Sequence, residues 1–137
     1  MDIVQSSLQG LVPFLMYFVS AVIAAGIFAK VYSLVTPHNE VELIKENNAA
    51  AATAYVGALL GFAIPLYSAL SNSVSVIDFV VWAGVALVIQ VVTFWVVRKF
   101  FYPLISERIE KGEIAAAIKL AGVAIVIGLL NAGSMTY

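Results

Sequence analysis

The chain has 137 residues, 63% of them hydrophobic and 11% charged, with a formal net charge of -1. A soluble domain is about a quarter charged, so a water-exposed globule is excluded and a lipid bilayer is the solvent that fits. The lack of cysteine removes disulfides, thiolate metal sites, iron–sulfur clusters and cysteine nucleophiles, and the near-neutral balance gives no sign of nucleic-acid binding.

Residues 3 to 29 carry no charge and predict a first membrane span near 10 to 33. About 20 helical residues cross the hydrocarbon core, and the backbone must be helical because lipid offers its polar groups no partner. A cleaved leader does not fit this run, since Asp2 is its only preceding charge and no Lys or Arg comes before it. The polar segment 36 to 48 then has Pro37 near its start and Thr36 or Asn39 as a cap, which predicts a short interfacial helix. Val41 and Ile44 are expected toward the lipid surface, with the glutamates and lysines toward water.

The charge-free run 47 to 77 predicts a second span near 48 to 70. Gly57 and Gly61 form a G-x-x-x-G there, extended by Ala50 and Ala54, and Pro65 removes one intrahelical hydrogen bond deep in the span. Pro65 reads either as a static kink that neighbouring helices accommodate or as a gating hinge. After the turn 71 to 78, a third span is predicted near 77 to 98 with Gln90 near its middle and Thr93 one turn on. An amide at that depth needs a protein partner, so Gln90 reads as an interhelical hydrogen bond or as a substrate contact. Trp82, Trp95, Phe100, Phe101 and Tyr102 sit near the ends of this span as an aromatic belt would.

The second polar segment, 103 to 113, has Pro103 and a capping Ser106, with Ile105 and Ile109 expected toward lipid. A fourth span near 114 to 134 follows, where Lys119 can extend its stem back to the interface. Ala117 and Ala121, with Ala124, Gly128 and Ala132 on a neighbouring stripe, offer small residues to Gly57 and Gly61. Such residues let helix backbones approach in lipid, so spans two and four are expected to pack closely, within one chain or as a seam between copies.

All seven basic residues, Lys30, Lys45, Arg98, Lys99, Arg108, Lys111 and Lys119, lie at or between the inner ends of spans one and two or three and four. The positive-inside rule makes both of those loops cytoplasmic and puts both termini outside. Sliding the chain by 65 positions aligns 41 to 57 with 106 to 122 without a gap, pairing Glu42 with Glu107, Ile44 with Ile109, alanines 50 to 52 with 115 to 117, and Gly57 with Gly122. Two helices return the chain to its starting side, so these are parallel tandem hairpin repeats, about 8–72 and 73–137, in one integral membrane domain.

Chemistry is sparse. No nucleophile elbow, P-loop, zinc-binding or dinucleotide pattern is present, and no span has an acidic residue near its centre, so no catalytic, cofactor or metal residue is assigned. His38 is the single histidine and reads as a solvated loop residue. Glu113, in the register of Asn48, can pair with Lys119; together with Asn47, Asn48 and Gln90 these form the candidate polar cluster for a ligand.

The segments YSLVTPHNEVELIKENNAAAATAYVGALLGFAIPL (32–66), WAGVALVIQ (82–90) and NAGSMTY (131–137) resemble the YjfL-type inner-membrane proteins, the family called domain of unknown function 350. The specific stretches are T-P-H-N-E at 36–40 and L-L-G-x-x-I-P-L at 59–66, while Gly112-Glu113 replaces the family's usual small-plus-Asn entry to the second alanine block. The resemblance implies four spans in a bacterial inner membrane and no established activity. The reading is an all-α membrane protein of four transmembrane helices: a non-enzymatic, oligomeric scaffold or membrane partner in envelope function, whose partners are the bilayer, further copies and a protein at the cytoplasmic loops. The alternative is a small channel or transporter with its pathway between subunits, along Gln90, Thr93, Asn48 and Lys119.

Overall fold

A computed structural model describes residues 2–36, 40–101 and 103–135, and among them every regular element is helical. The order is α1 Asp2–Gln9, α2 Leu11–Val35, α3 Glu40–Lys45, α4 Ala49–Asn72, α5 Val76–Val96, a π-helical turn Val97–Phe101, α6 Ile105–Glu110 and α7 Ile114–Ser134. Four helices are long and apolar enough to cross a membrane: 2–35, 49–72, 76–100 and 114–134.

The first span begins earlier than the expected residue 10. Gly10 keeps right-handed helical dihedrals, with φ -76° and ψ -11°, so α1 runs into α2 through one turn in which Phe14 N–H donates to Gly10 O. Most of this span is exposed apolar surface, which in water would be prohibitive and in lipid is ordinary.

Helix α4 is the hub, packing against α2, α3, α5, α6 and α7, and its tightest partner is α7. The two run parallel, since Gly57 faces Ala121 and Gly61 faces Ala124 and Gly128. The core is mostly alanine and phenylalanine: Ala50, Ala51, Ala54 and Ala58 line α4, while Phe28, Phe62, Phe79 and Phe94 fill the space between the other helices.

Both short helices end in the same hydrogen-bonded turn. Asn47 takes φ 66° and donates to Ile44 O, and Asn48 N–H closes to Leu43 O at 2.9 Å. Gly112 takes φ 81° and donates to Ile109 O, and Glu113 N–H closes to Arg108 O at 3.0 Å. This is the Schellman arrangement, which needs a left-handed residue just past the helix; Gly adopts it freely and Asn is the side chain that tolerates it best.

The interfacial helices differ from expectation in three respects. Ile105 and Ile109 are buried, because α6 lies over α4 and α7, whose first turns are alanine-rich and leave room for two large side chains. Ser106 is inside α6 and does not cap it; the cap position is Leu104, which has no side-chain hydrogen bond. Glu40 is only 1% exposed, although the sequence pattern places the glutamates in water. On α3, Val41 is exposed as expected. Pro37, His38, Asn39 and Tyr102 lie outside the described residues.

Candidate functional site

Two polar layers and an aromatic plug between them occupy the interior. The first layer lies at the end of the bundle that carries α3 and α6. The face Phe28, Tyr32, Thr36 of α2 and the face Gln90, Phe94, Arg98 of α5 each recur at i, i+4, i+8, so each is a single stripe. Arg98 belongs to the π-helical turn, and its guanidinium reaches back to α2, donating to Val35 O and Thr36 Oγ1 at 3.3 Å each. A cation there meets the unpaired carbonyls and negative dipole end of a helix, which is favourable for both. The same guanidinium stands 5.7 Å from the Phe94 ring centroid.

Glu40 opens α3 beside this group, and Ser33 Oγ donates to its Oε1 at 2.7 Å. Glu40 Oε2, Tyr32 OH and Arg98 Nε are all buried without a hydrogen-bond partner. An acceptor and two donors, on residues that interact electrostatically, are thus left unbonded at this end of the interior, an arrangement suited to water or to a small polar group.

Beneath this layer the aromatic plug begins. Phe28 stacks on Phe62 with centroids 4.6 Å apart and planes within 3°, and Tyr32 meets Phe94 edge-on at 5.3 Å and Tyr55 at 5.7 Å. Phe28, Tyr32, Phe62 and Phe94 are each at most 2% exposed and fill the space between the first layer and the second.

The second layer is Gln90, fully buried on α5. Its Nε2 donates to Gly61 O on α4 at 2.9 Å and to Ala124 O on α7 at 3.1 Å. The acceptor on α4 follows from Pro65, four residues after Gly61, whose missing N–H would otherwise have bonded that carbonyl. Gln90 therefore supplies from another helix the donor that Pro65 withholds. The same depth is where α4 and α7 come closest: a Cβ added at Gly57 would lie 2.6 Å from Ala121 Cα, one at Gly61 2.7 Å from the Ala124 carbonyl carbon, and one at Gly128 2.9 Å from the Gly61 carbonyl carbon. Gly57, Gly61, Ala124 and Gly128 thus face one another within the chain.

The five residues of the predicted polar cluster are not brought together. Gly61, Gln90's acceptor, is thirteen residues along α4 from Asn48, a separation of about 20 Å on a helix. Asn47 is exposed as the left-handed residue after α3. Asn48 caps α4 by accepting from Ala51 N–H at 3.0 Å, and its Nδ2 donates to Ile109 O and Glu110 O at 3.3 and 3.1 Å. One side chain thereby starts the second span and latches it to α6. Glu113 makes no cap bond and pairs instead with Arg108 at 3.1 Å, a half-exposed pair worth at most ~1 kcal/mol. Lys119 is exposed on α7. Thr93 donates to Ile89 O on its own helix.

Asn48→Ala is expected to cost about 1 kcal/mol through the cap and more through the lost donor to Glu110 O and to Ile109 O, the latter keeping its bond from Gly112 N–H. Asn48→Asp keeps the cap acceptor and loses only the donors, so its thermal midpoint in mild detergent should fall between those of the native and Ala chains. Equal midpoints for all three would contradict both roles.

Sequence reasoning missed the group at Tyr32, Glu40 and Arg98. The signal was the matched i, i+4, i+8 stripes of α2 and α5, each ending in a polar residue at the same level.

The family model described as Domain of Unknown Function (DUF350) matches residues 6–135. The chain is 45% identical to the UPF0719 inner membrane protein YjfL of Escherichia coli strain K12 over 130 residues, which cover 95% of this chain and 98% of that protein. The protein of the same name from Escherichia coli O157:H7 matches with the same identity and coverage. No solved structure matches the chain. With nearly its whole length matched both by the family model and by these inner-membrane relatives, the chain belongs to the DUF350 family.

Proposed function

We propose that this is a non-enzymatic inner-membrane scaffold, assembled as a homo-oligomer, that docks a protein partner on the face formed by α3 and α6. The burial of Gln90 carries this reading: at 0% exposed it cannot line a pathway between subunits, and Phe28, Tyr32, Phe62 and Phe94 fill the interior between the two polar layers. Three of the polar groups that a channel or transporter would use along its pathway, Gln90, Asn48 and Thr93, bond within the chain. Gln90 clasps α4 and α7, and Asn48 latches α4 to α6. The docking face is α3 and α6, on which Val41, Leu104 and several charges are exposed. It lies in the cytoplasm with both termini outside, as the distribution of Lys and Arg implies.

The chain is built as two parallel tandem hairpins. Supporting this, the Schellman turns at Asn47 and Gly112 fall 65 residues apart, the offset at which the alanine blocks align. The exposed apolar face of α2, with Phe14 and Phe18 stacked at 5.6 Å, is the surface for neighbouring copies.

Native mass spectrometry of gently extracted complexes tests the proposal. A homo-oligomer carrying a second protein at fixed stoichiometry is expected, with that protein lost from a Lys45→Glu, Lys111→Glu chain of unchanged thermal midpoint. A homo-oligomer without a second protein that conducts ions in proteoliposomes would replace this reading with the channel.

A further inference from the structure

Helices α2 and α5 run side by side, and on the lipid-facing side of their seam a groove of about 460 Å³ is lined by Val35, Val91, Val92, Trp95, Arg98 and Lys99. Toward the bilayer centre, Ile27 and Leu87 line a second open groove of about 280 Å³ on the same seam. On α5 the lining positions 87, 91, 95 and 98 recur at steps of three and four, so both grooves lie along one stripe of that helix. One end of the stripe is cationic and the rest is apolar.

The charges at that end are formally unequal. Arg98 and Lys99 contribute two positive charges, and Glu40, electrostatically coupled to Arg98, contributes one negative charge. One positive charge is left over, which matches the single negative charge of a phosphodiester. Arg98 makes one hydrogen bond from each terminal nitrogen, to Val35 O and Thr36 Oγ1, and keeps a second N–H on each, while its buried Nε belongs to the interior group and Lys99 Nζ stands 5.3 Å over Trp95. Trp is the side chain that sits best at headgroup depth, with an apolar ring and a polar N–H. From Arg98 to Leu87 is eleven residues, or about 16 Å of helix, and half of a ~30 Å hydrocarbon core is ~15 Å. The stripe is therefore as long as one leaflet is deep.

We propose that this groove binds one anionic phospholipid of the phosphatidylglycerol type, its phosphate held between Arg98 and Lys99 and one acyl chain laid along Val92, Val91 and Leu87 between α2 and α5. Charge complementarity at one end and apolar lining over a leaflet's depth select this occupant over an apolar protein helix, which brings no anion, and over a zwitterionic lipid, whose ammonium would meet Lys99. The site concerns the lipid-facing side of the bundle and stands apart from the docking face at α3 and α6.

Native mass spectrometry of the delipidated full chain, titrated with phosphatidylglycerol or with phosphatidylethanolamine of the same acyl chains, tests it. One phosphatidylglycerol should stay bound at collision energies that strip phosphatidylethanolamine. Lys99→Gln should weaken phosphatidylglycerol binding about fivefold, the effect of one interfacial cation. Val92→Phe, at a half-exposed position that tolerates bulk, should weaken both lipids by obstructing the chain. Arg98→Gln should abolish the preference, but it also frees the end of α2, so Lys99→Gln and Val92→Phe decide the matter if that chain does not fold. Equal retention of the two lipids by the native chain, or native-like binding by both Lys99→Gln and Val92→Phe, would overturn the proposal.

Discussion

Replacing Gln90 with Leu will lower the stability of the bundle by about 1–2 kcal/mol, and replacing Pro65 with Ala will remove much of that sensitivity. The first figure combines an interhelical hydrogen bond of ~1 kcal/mol in membranes with a buried carbonyl left unpaired. The second effect follows from Gly61 O, which Pro65 deprives of its intrahelical donor and Gln90 supplies. The Pro65→Ala chain would regain the i to i-4 bond, so the side chain at 90 would matter only to Ala124 O, whose own helix already bonds it. Measured by reversible unfolding in mixed micelles, the four chains of this double-mutant cycle should show a coupling of about 1 kcal/mol. Additive effects would mean that the clasp does not compensate for the proline. The amide has one further unmet group, Gln90 Oε1, which is buried without a partner. Leu removes that cost as well, which keeps the single-mutant loss at the low end of the range.

Glycine substitutions along α4 and α7 should divide sharply by position. Gly61→Ala and Gly128→Ala are expected to cost at least 1–3 kcal/mol, because the added methyl meets backbone rather than a flexible side-chain tip and two helices must part to admit it. At Gly128 the methyl would also fall against the carbonyl that Gln90 uses, so this substitution and Gln90→Leu should combine to less than their sum. Gly122→Ala is the control. Gly122 aligns with Gly57 in the 65-residue register, yet a Cβ there meets nothing within 4 Å. It should be neutral or stabilising by up to ~1 kcal/mol through helix propensity. Unfolding midpoints in the same micelles check the series, and equal losses at 61, 122 and 128 would rule out a seam confined to one face.

The four spans were legible because runs of this length with at most one or two charges leave a chain in lipid little choice, and their boundaries at 48, 77 and 114 fall within a residue of the helices observed. The N-terminal end of the first span was not legible, since residues 2 to 9 mix Asp, Gln and Ser with apolar positions and Gly10 is a weak signal that the helix here passes through. The need of Gln90 for a protein partner could be read from its depth, but the identity of that partner could not. Nothing local ties residue 90 to carbonyls 29 and 34 positions away. Glu40 is the same problem in reverse. Its neighbours Val41, Glu42 and Lys45 describe an exposed amphipathic helix, and burial comes from α2 and from Arg98, 58 residues further on. Local pattern alone turns Ile105 and Ile109 toward lipid, whereas α4 and α7 are there to receive them.

The dependence of Pro65 on Gln90 also restricts the history by which such a chain can arise. A proline entering position 65 while residue 90 was apolar would have left the Gly61 carbonyl unmet inside the α4–α7 seam, a change harmful at the moment it occurred. A glutamine entering position 90 first would have been tolerated, because its amide could already reach Ala124 O and share Gly61 O with the backbone. The accessible route is ordered, with the polar residue preceding the proline, and reversal of the first step is barred once the second has been taken.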